Sequence, residues 1–310
     1  MLLRIHHSMS IGGGMQTFDY VATVDLGEAV RLLVEHGTTA RILAGGTDLL
    51  ADLKSSTDAP GLIIDISRVK ALKVIVVTPQ GLRIGAMVTH AEIMQSALIR
   101  EHCPAMADAA HTIGAVQTRN LGTLGGNLVT AVPSMDSGAT LVALDARAVL
   151  AGRSGTREMP LTEFFKGPRR TALRPDELLV AVVIPAGSLG KPAHFLKSGL
   201  RKGQALALVN AAASLWLDAE GCVKEPRIAL GAVAPTVMRA TGAERYLAGR
   251  LPLPESMVEA GKLAAEECKP ISDFRATAAY RRDLVAVLVK RTLTQAYECA
   301  LKRLRNGGDP

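Results

Sequence analysis

The stretch Thr112 to Leu128, TIGAVQTRNLGTLGGNL, constrains this chain more than any other. It holds Gly114, Gly122, Gly125 and Gly126 among Thr118, Thr123, Asn120 and Asn127, with Arg119 as its one cation. Glycine loses more conformational entropy on ordering than any other residue, so this clustering weakens the local structure unless something compensates. Close approach of main-chain N–H groups to an anion is the compensation that small residues permit. A second turn of the same kind, Ala44-Gly45-Gly46-Thr47-Asp48, lies upstream between a short apolar strand, Ala40 to Leu43, and a helical turn, Leu49 to Lys54. At that placement N–H groups point outward and favour anions. Gly45-Gly46-Thr47 and Gly125-Gly126-Asn127 each supply two glycines followed by a hydroxyl or an amide. The two loops are expected to converge on one phosphate-bearing cofactor. Asp136, beyond the second loop, is a carboxylate that could accept from ribose or ribityl hydroxyls.

A chain of 310 residues has room for two domains, and 48% hydrophobic residues mark it as globular. Aromatic residues are only 3%, with the single tryptophan Trp216, which argues against the stacking platforms of single-stranded nucleic-acid binders. The net charge of +7 is diffuse, with local excess at Arg281-Arg282 and Lys302-Arg303-Leu304-Arg305. Such a balance points to solubility and to anionic ligands or acidic partner surfaces, and no nucleic-acid partner is expected. Cys103, Cys222, Cys268 and Cys299 are far apart and form no CxxC, so neither a disulfide framework nor a Cys-only metal site is expected. That usage suits a reducing compartment, and a cytoplasmic location is expected. No apolar run reaches the ~18–20 residues of a membrane span, and MLLRIHHSMSIGGG lacks the apolar core of a secretory signal. Residues 1–14 read as a flexible leader, with Met15 as the effective start of the fold and His6-His7 as solvated residues rather than metal ligands.

In chain order, Phe18 to Val24 reads as extended, and Asp25 caps a helix from Leu26 to His36 with Glu28 in the capping-box position. Leu62 to Ile66 is an apolar strand. Val74 to Thr78 and Leu82 to Ala86 flank Pro79-Gln80-Gly81 as a hairpin. Thr89 and Glu92 bracket a helix to Gln95, and Pro104 opens another to about Thr112. After the glycine-rich stretch come a helix from Ser137 to Asp145, a strand at Ala148 to Ala151 and the strand-like run Leu178 to Pro185. Ala186 to Pro192 (AGSLGKP) marks the boundary between a domain over 15–187 and one over 190–305. The second domain reads as three antiparallel strands, His194 to Gly199, Leu206 to Leu217 and Pro226 to Val233. Helices follow over Arg239 to Ala248, Pro254 to Glu267 and Arg275 to Arg305. The fold class is α+β.

Common chemical motifs are missing. There is no GxxxxGK[ST], since Pro192 stands where GSLGKP would need a hydroxyl, no strand-borne GxGxxG and no GxSxG. Glu101-His102-Cys103 reads as a solvated helix end rather than a metal site. No set of catalytic acid–base groups stands out.

Leu43-Ala44-Gly45-Gly46-Thr47-Asp48-Leu49, followed by Ile113-Gly114 through Gly122-Thr123-Leu124-Gly125-Gly126-Asn127-Leu128, resembles the FAD-binding subunit of molybdenum hydroxylases, the xanthine dehydrogenase and carbon monoxide dehydrogenase family. The likeness continues through Asp136, Leu178-Leu179, Lys197, Arg227 to Pro235 and Tyr280-Arg281-Arg282, and covers nearly all of Met15 to Ala300. The resemblance implies a vanillyl-alcohol-oxidase (PCMH-type) FAD-binding domain of two α/β subdomains, followed by a C-terminal α+β domain. It implies that Ala44 to Leu49 and Thr123 to Asn127 hold the pyrophosphate and that Asp136 binds a sugar hydroxyl. Ile113, Gly114, Leu178 and Lys197 would border the flavin ring, and Leu43, Thr118 and Gly122 complete the cofactor set. A cation at Lys197 would favour the anionic reduced flavin.

The resemblance also implies partners: a small subunit with two [2Fe–2S] clusters and a large molybdopterin subunit, assembled as a dimer of heterotrimers. Electrons would pass through FAD to NAD, a quinone or oxygen. Val129 to Asp145 holds no cysteine, which speaks against the branch with an additional [4Fe–4S] cluster. Met135, where small residues are common, and the leader depart from the family pattern. Arg119 has no role assigned by sequence. A stand-alone flavin oxidoreductase and a cofactor-less scaffold are the alternative readings.

Overall fold

The computed structural model describes residues 3–5, 18–55 and 60–305. The first helix begins where its cap is: the Asp25 carboxylate accepts the Glu28 N–H at 2.8 Å, and Leu26–His36 buries Ala29 and Leu33. Only half of the capping box forms, because the Glu28 carboxylate takes the Thr23 hydroxyl and the Asp25 N–H goes to Thr23 Oγ1. Gly37, at φ +53°, ends the helix in the left-handed conformation open to glycine. This helix connects Phe18–Ala22 to Ala40–Leu43, and Leu62–Asp65 lies parallel to both strands. Parallel pairing requires such crossovers. Leu3–Ile5, within the expected leader, adds an antiparallel edge strand on Phe18–Tyr20. The rest of that leader lies outside the described residues, as do residues 306–310.

Leu178–Pro185 runs through a five-stranded antiparallel sheet. It pairs with Gly81–Gly85 on one side and Arg147–Gly152 on the other, with Ile75–Thr78 and Gly155–Pro160 at the edges. Its unbroken apolar run LLVAVVIP has a tertiary reason. Leu178, Val180, Ala181 and Val183 pack with the parallel sheet, whereas Leu179, Val182 and Ile184 pack under a helical layer. A strand buried on both faces has no polar alternation to show. The helical layer includes Pro104–His111 and Asp136–Ala143, together with Ala97–His102, which the sequence reading passes over. That helix is capped by Ser96, whose Oγ accepts the Ile99 N–H at 3.3 Å.

The second domain is a meander of Ala193–Gly199, Ala207–Leu217 and Val223–Gly231, as expected, with a fourth strand, Met238–Arg239, on its edge. The residues alone predict a helix from Arg239. Instead that guanidinium is drawn to Glu244 (2.5 and 2.8 Å) and to Asp145 (3.3 Å), and the helix begins at Thr241. One face of the meander packs with Thr241–Leu247, Pro254–Glu267 and Ala278–Arg305. Phe195, Ala212 and Ala229 belong to the core of the first domain. Both faces of the meander are therefore occupied, and the two domains share buried surface.

Lys191, in the segment between the domains, is 2% exposed, and among the described residues its Nζ donates to the Glu225 carbonyl alone, at 2.7 Å. Burial, and then the nearby Arg227, push its ammonium down from 10.5 to about 8. The unfolded chain therefore binds the proton more tightly, and stability rises with pH between about 8 and 10.5. Below that window the cost of the buried charge is fully present. Lys191→Met is expected to stabilise the protein by about 2 kcal/mol at pH 7. In urea titrations that advantage should shrink as pH rises through the window; a constant advantage at all pH values would refute it.

Candidate cofactor site

The two glycine-rich segments meet. A Cβ on Gly45 would overlap the Leu121 carbonyl oxygen and lie 3.2 Å from Gly122 Cα, so the backbones touch where only glycine allows it. Gly46 turns the chain at φ +73°, and its carbonyl accepts the Leu50 N–H at 3.1 Å. Among the described residues, none accepts a hydrogen bond from the N–H groups of Gly45, Gly46 or Thr47. These donors lie at the carboxyl end of Ala40–Leu43, the end of a parallel strand where α/β proteins bind ligands.

The second segment departs from expectation. It is not an open nest but two short helices, Val116–Leu121 and Leu124–Thr130. Thr123 Oγ1 accepts the Gly126 N–H at 3.1 Å, and its carbonyl accepts the Asn127 N–H at 3.0 Å. The Leu124 and Gly125 N–H groups go to Val88 and Ala86. A Cβ on Gly125 would fall 2.7 Å from Ala86 Cβ, so this glycine serves close packing, and its N–H is committed inside the protein. Asn127 Oδ1 accepts the Ser137 hydroxyl at 2.6 Å. Among the described residues, the second segment keeps Thr123 N–H and the N–H groups of Gly114 to Thr118 without an acceptor, and its Leu121–Gly122 backbone supplies the surface against which the first loop rests.

A cavity of about 820 Å³ opens between the turn at Thr112–Arg119 and the hairpin at Lys197–Ala205. Its wall carries Arg119, Lys197, Arg201 and Lys202 and no carboxylate. Gly114 turns at φ +50° against the Thr118 side chain. Arg119, unassigned by sequence, braces this turn by donating to the carbonyls of Ile113 (3.0 Å) and Gly114 (3.4 Å). The hairpin is tied to the same place, with the Gln204 N–H donating to Gly114 O at 3.3 Å.

Asp136 is 4% exposed and already engaged. Its Oδ2 accepts from Lys197 Nζ at 2.5 Å and from the Thr112 hydroxyl at 3.1 Å, and its Oδ1 accepts from Asn210 Nδ2 at 2.8 Å. Lys197 also donates to the Thr112 carbonyl at 3.0 Å. Burial pushes the Asp136 carboxyl up, opposed by the Lys197 cation and by these hydrogen bonds. In this arrangement Asp136 anchors Lys197 at the cavity wall. The signal for Asn210 in the chain is a lone amide in the apolar strand ALVNAAASLWL, which by itself marks no site.

Thr112, Gly114 and Lys197 are thus gathered at the cavity, with Asp136 behind them and Thr118 against Gly114. Gly45 and Gly122 are in contact, with Thr47 beside them and Leu43, Ala44, Asp48 and Leu49 flanking. Leu178 is elsewhere. It packs in the core between the first two sheets and lines no part of the cavity, because the alternation of its strand turns it toward the parallel sheet.

A glycine loop with free donors at the end of a parallel strand, beside a cation-lined cavity shared with a second domain, is the architecture of a protein that carries a phosphate-bearing cofactor. Residues 16–187 match the family described as "FAD binding domain in molybdopterin dehydrogenase", and residues 194–296 match "CO dehydrogenase flavoprotein C-terminal domain". The carbon monoxide dehydrogenase medium chain of Hydrogenophaga pseudoflava is 34% identical over 285 residues, covering 91% of this chain and 98% of that one. A putative xanthine dehydrogenase FAD-binding subunit of Escherichia coli is 32% identical, covering 92% and 98%. Solved structures agree. Carbon monoxide dehydrogenase from Hydrogenophaga pseudoflava superimposes with a TM-score of 0.87 at 34% identity, over 91% of this chain and 98% of that chain. Quinoline 2-oxidoreductase from Pseudomonas putida does so with 0.86 at 31% identity, over 93% and 99%. The chain belongs to the family of FAD-binding subunits of molybdopterin dehydrogenases, which are oxidoreductase complexes.

Proposed function

We propose that this chain carries FAD between the first glycine loop and the cavity, and relays electrons within a molybdenum-containing dehydrogenase. The observation that carries this reading is the contact of Gly45 with Leu121–Gly122 next to the N–H groups of Gly45, Gly46 and Thr47, which have no acceptor among the described residues and can take phosphate oxygens. Leu43 to Leu49 would hold the pyrophosphate, with Gly122, Thr123, Gly125, Gly126 and Asn127 forming the wall behind it. Ile113, Gly114 and Thr118 would shape the border of the flavin ring. Lys197 would present its cation there, held by Asp136. The residues present fit the cofactor: the first loop supplies donors for an anion, and the cavity wall is cationic.

FAD, when bound, accepts and passes on electrons singly or in pairs. The chain's own contribution is to orient the cofactor and to place positive charge where the reduced ring gains negative charge. Its partners in this reading are a small [2Fe–2S] subunit and a large molybdopterin subunit, in a dimer of heterotrimers, with NAD or a quinone as the acceptor. Among the described residues no helix is long and apolar enough to cross a membrane, and a cytoplasmic location is part of the proposal.

The test is chemical. Protein purified from its native source, alone or in complex, is expected to release FAD on denaturation, identified by chromatography and fluorescence. A smaller iron–sulfur chain and a larger molybdopterin chain should copurify with it or bind it. A folded complex with no flavin at any stage would overturn the reading.

A further inference from the structure

We propose that His90 is a further binding residue of this site, its neutral imidazole donating from Nε2–H to the cofactor's diphosphate where the two glycine segments meet; the proposal rests on the FAD reading above. Val88–His90 runs alongside the second segment. Leu124 N–H donates to Val88 O at 2.9 Å, Thr89 bridges to Thr123, and His90 N–H donates to Gly122 O at 3.1 Å. The backbone of His90 is thereby locked to the glycine that touches the first loop. Its ring faces the same glycine. The position a Gly122 Cβ would take lies 3.5 Å from His90 Cδ2 and 3.7 Å from Thr47 Oγ1. An imidazole edge and a hydroxyl therefore converge on Gly122, beside the N–H groups of Gly45 to Thr47 that have no acceptor among the described residues.

The chemistry of the ring follows from its surroundings. His90 is 2% exposed, and its Nδ1 is enclosed without a hydrogen-bond partner. A proton on Nδ1 would be a buried, unsatisfied donor, so the tautomer protonated at Nε2 costs less. Nε2 neighbours Cδ2 on the edge that faces Gly122. Burial and the nearby Arg119 keep the imidazole neutral at pH 7, holding it down at about 4. A neutral donor suits this position, since Arg119 already supplies positive charge. A buried histidine that serves packing alone would need no polar neighbour at its Cδ2–Nε2 edge, whereas this one abuts the two loops that the site is made of.

The test uses the full chain freed of flavin, with ADP as the diphosphate probe. His90→Leu is expected to weaken ADP binding, measured by calorimetry, by about tenfold, the loss of one hydrogen bond to a charged group. His90→Gln, which keeps a neutral N–H donor, should recover most of that loss. In the wild-type chain with 15N-labelled histidine, the His90 Nε2 resonance should move on ADP addition, a readout that does not depend on either variant folding. Unchanged ADP affinity in His90→Leu, equal loss in Leu and Gln variants, or an unmoved Nε2 resonance in an ADP-bound chain would each overturn the proposal. A wild-type chain that binds neither FAD nor ADP would overturn the reading of the site itself.

Discussion

Gly45→Ala is expected to empty the cofactor site while leaving both domains folded. The added methyl would occupy the position of the Leu121 carbonyl oxygen, with Gly122 Cα 3.2 Å away, so no side-chain rotation relieves it. The two segments must separate, and the N–H groups of Gly45 to Thr47 move off the surface they rest on. Forced overpacking of this kind costs about 1–3 kcal/mol, which a two-domain chain survives. The cofactor should not survive it, because several hydrogen bonds to the diphosphate depend on one backbone placement. Flavin affinity, read by titrating FAD into the flavin-free protein, should fall at least about tenfold, the counterpart of losing about 1.4 kcal/mol or more of binding. Gly126→Ala is the control. Its Cβ would meet only Thr123 Oγ1, at 3.0 Å, and the residue already sits in a helix. If the two variants keep equal flavin, the first loop is not the anchor.

Lys197→Met and Asp136→Ala are each expected to destabilise the protein by about 3–5 kcal/mol, and the double replacement by much less than their sum. Lys197 is 9% exposed on its side chain and Asp136 is 4% exposed, so removing either strands a buried charge. After Lys197→Met, the Asp136 carboxyl loses the cation that opposes the effect of burial and rises further. A carboxyl raised above its unfolded value holds its proton more tightly in the folded state, so stability falls as pH rises through that window. The deficit of Lys197→Met should therefore be smaller at pH 5 than at pH 8, measured by urea unfolding. A pH-independent deficit, or strict additivity in the double variant, would show that the pair does not act as one unit. In a flavin-loaded complex, the same substitution removes the charge beside the ring and should lower the flavin midpoint potential. That readout does not move if Lys197 serves stability alone.

Much of this molecule is legible from local chemistry. Thr89 and Glu92 form the reciprocal box read from their spacing, with the Thr89 N–H on Glu92 at 2.7 Å and the Glu92 N–H on Thr89 at 3.2 Å. Asp25, Gly37 and Pro104 begin or end helices where expected, because caps and turns act within a few residues. Local chemistry misled in the glycine-rich stretch. Its composition reads as open loop, yet Leu124 and Gly125 are fastened by their N–H groups to Val88 and Ala86, more than thirty residues upstream. Gly125 is small because Ala86 is close, a fact with no trace in the residues around it. The placement of Leu178, in the core and off the cavity, is hidden in the sequence for a related reason. In LLVAVVIP every side chain is apolar, so no pattern says which face packs under the helical layer and which against a second sheet.

The capped helices and the family are legible in the chain itself, because caps, turn residues and the paired glycine motifs each act over a handful of positions. The tertiary structure decided which glycine makes the contact between loops, that Arg119 braces the Ile113–Gly114 turn, and that Asp136 is gathered with Lys197, Asn210 and Thr112. It also brought His90 to Gly122 and Thr47. Those relations join residues that are distant in the chain, and only packing into shared cores sets their distances.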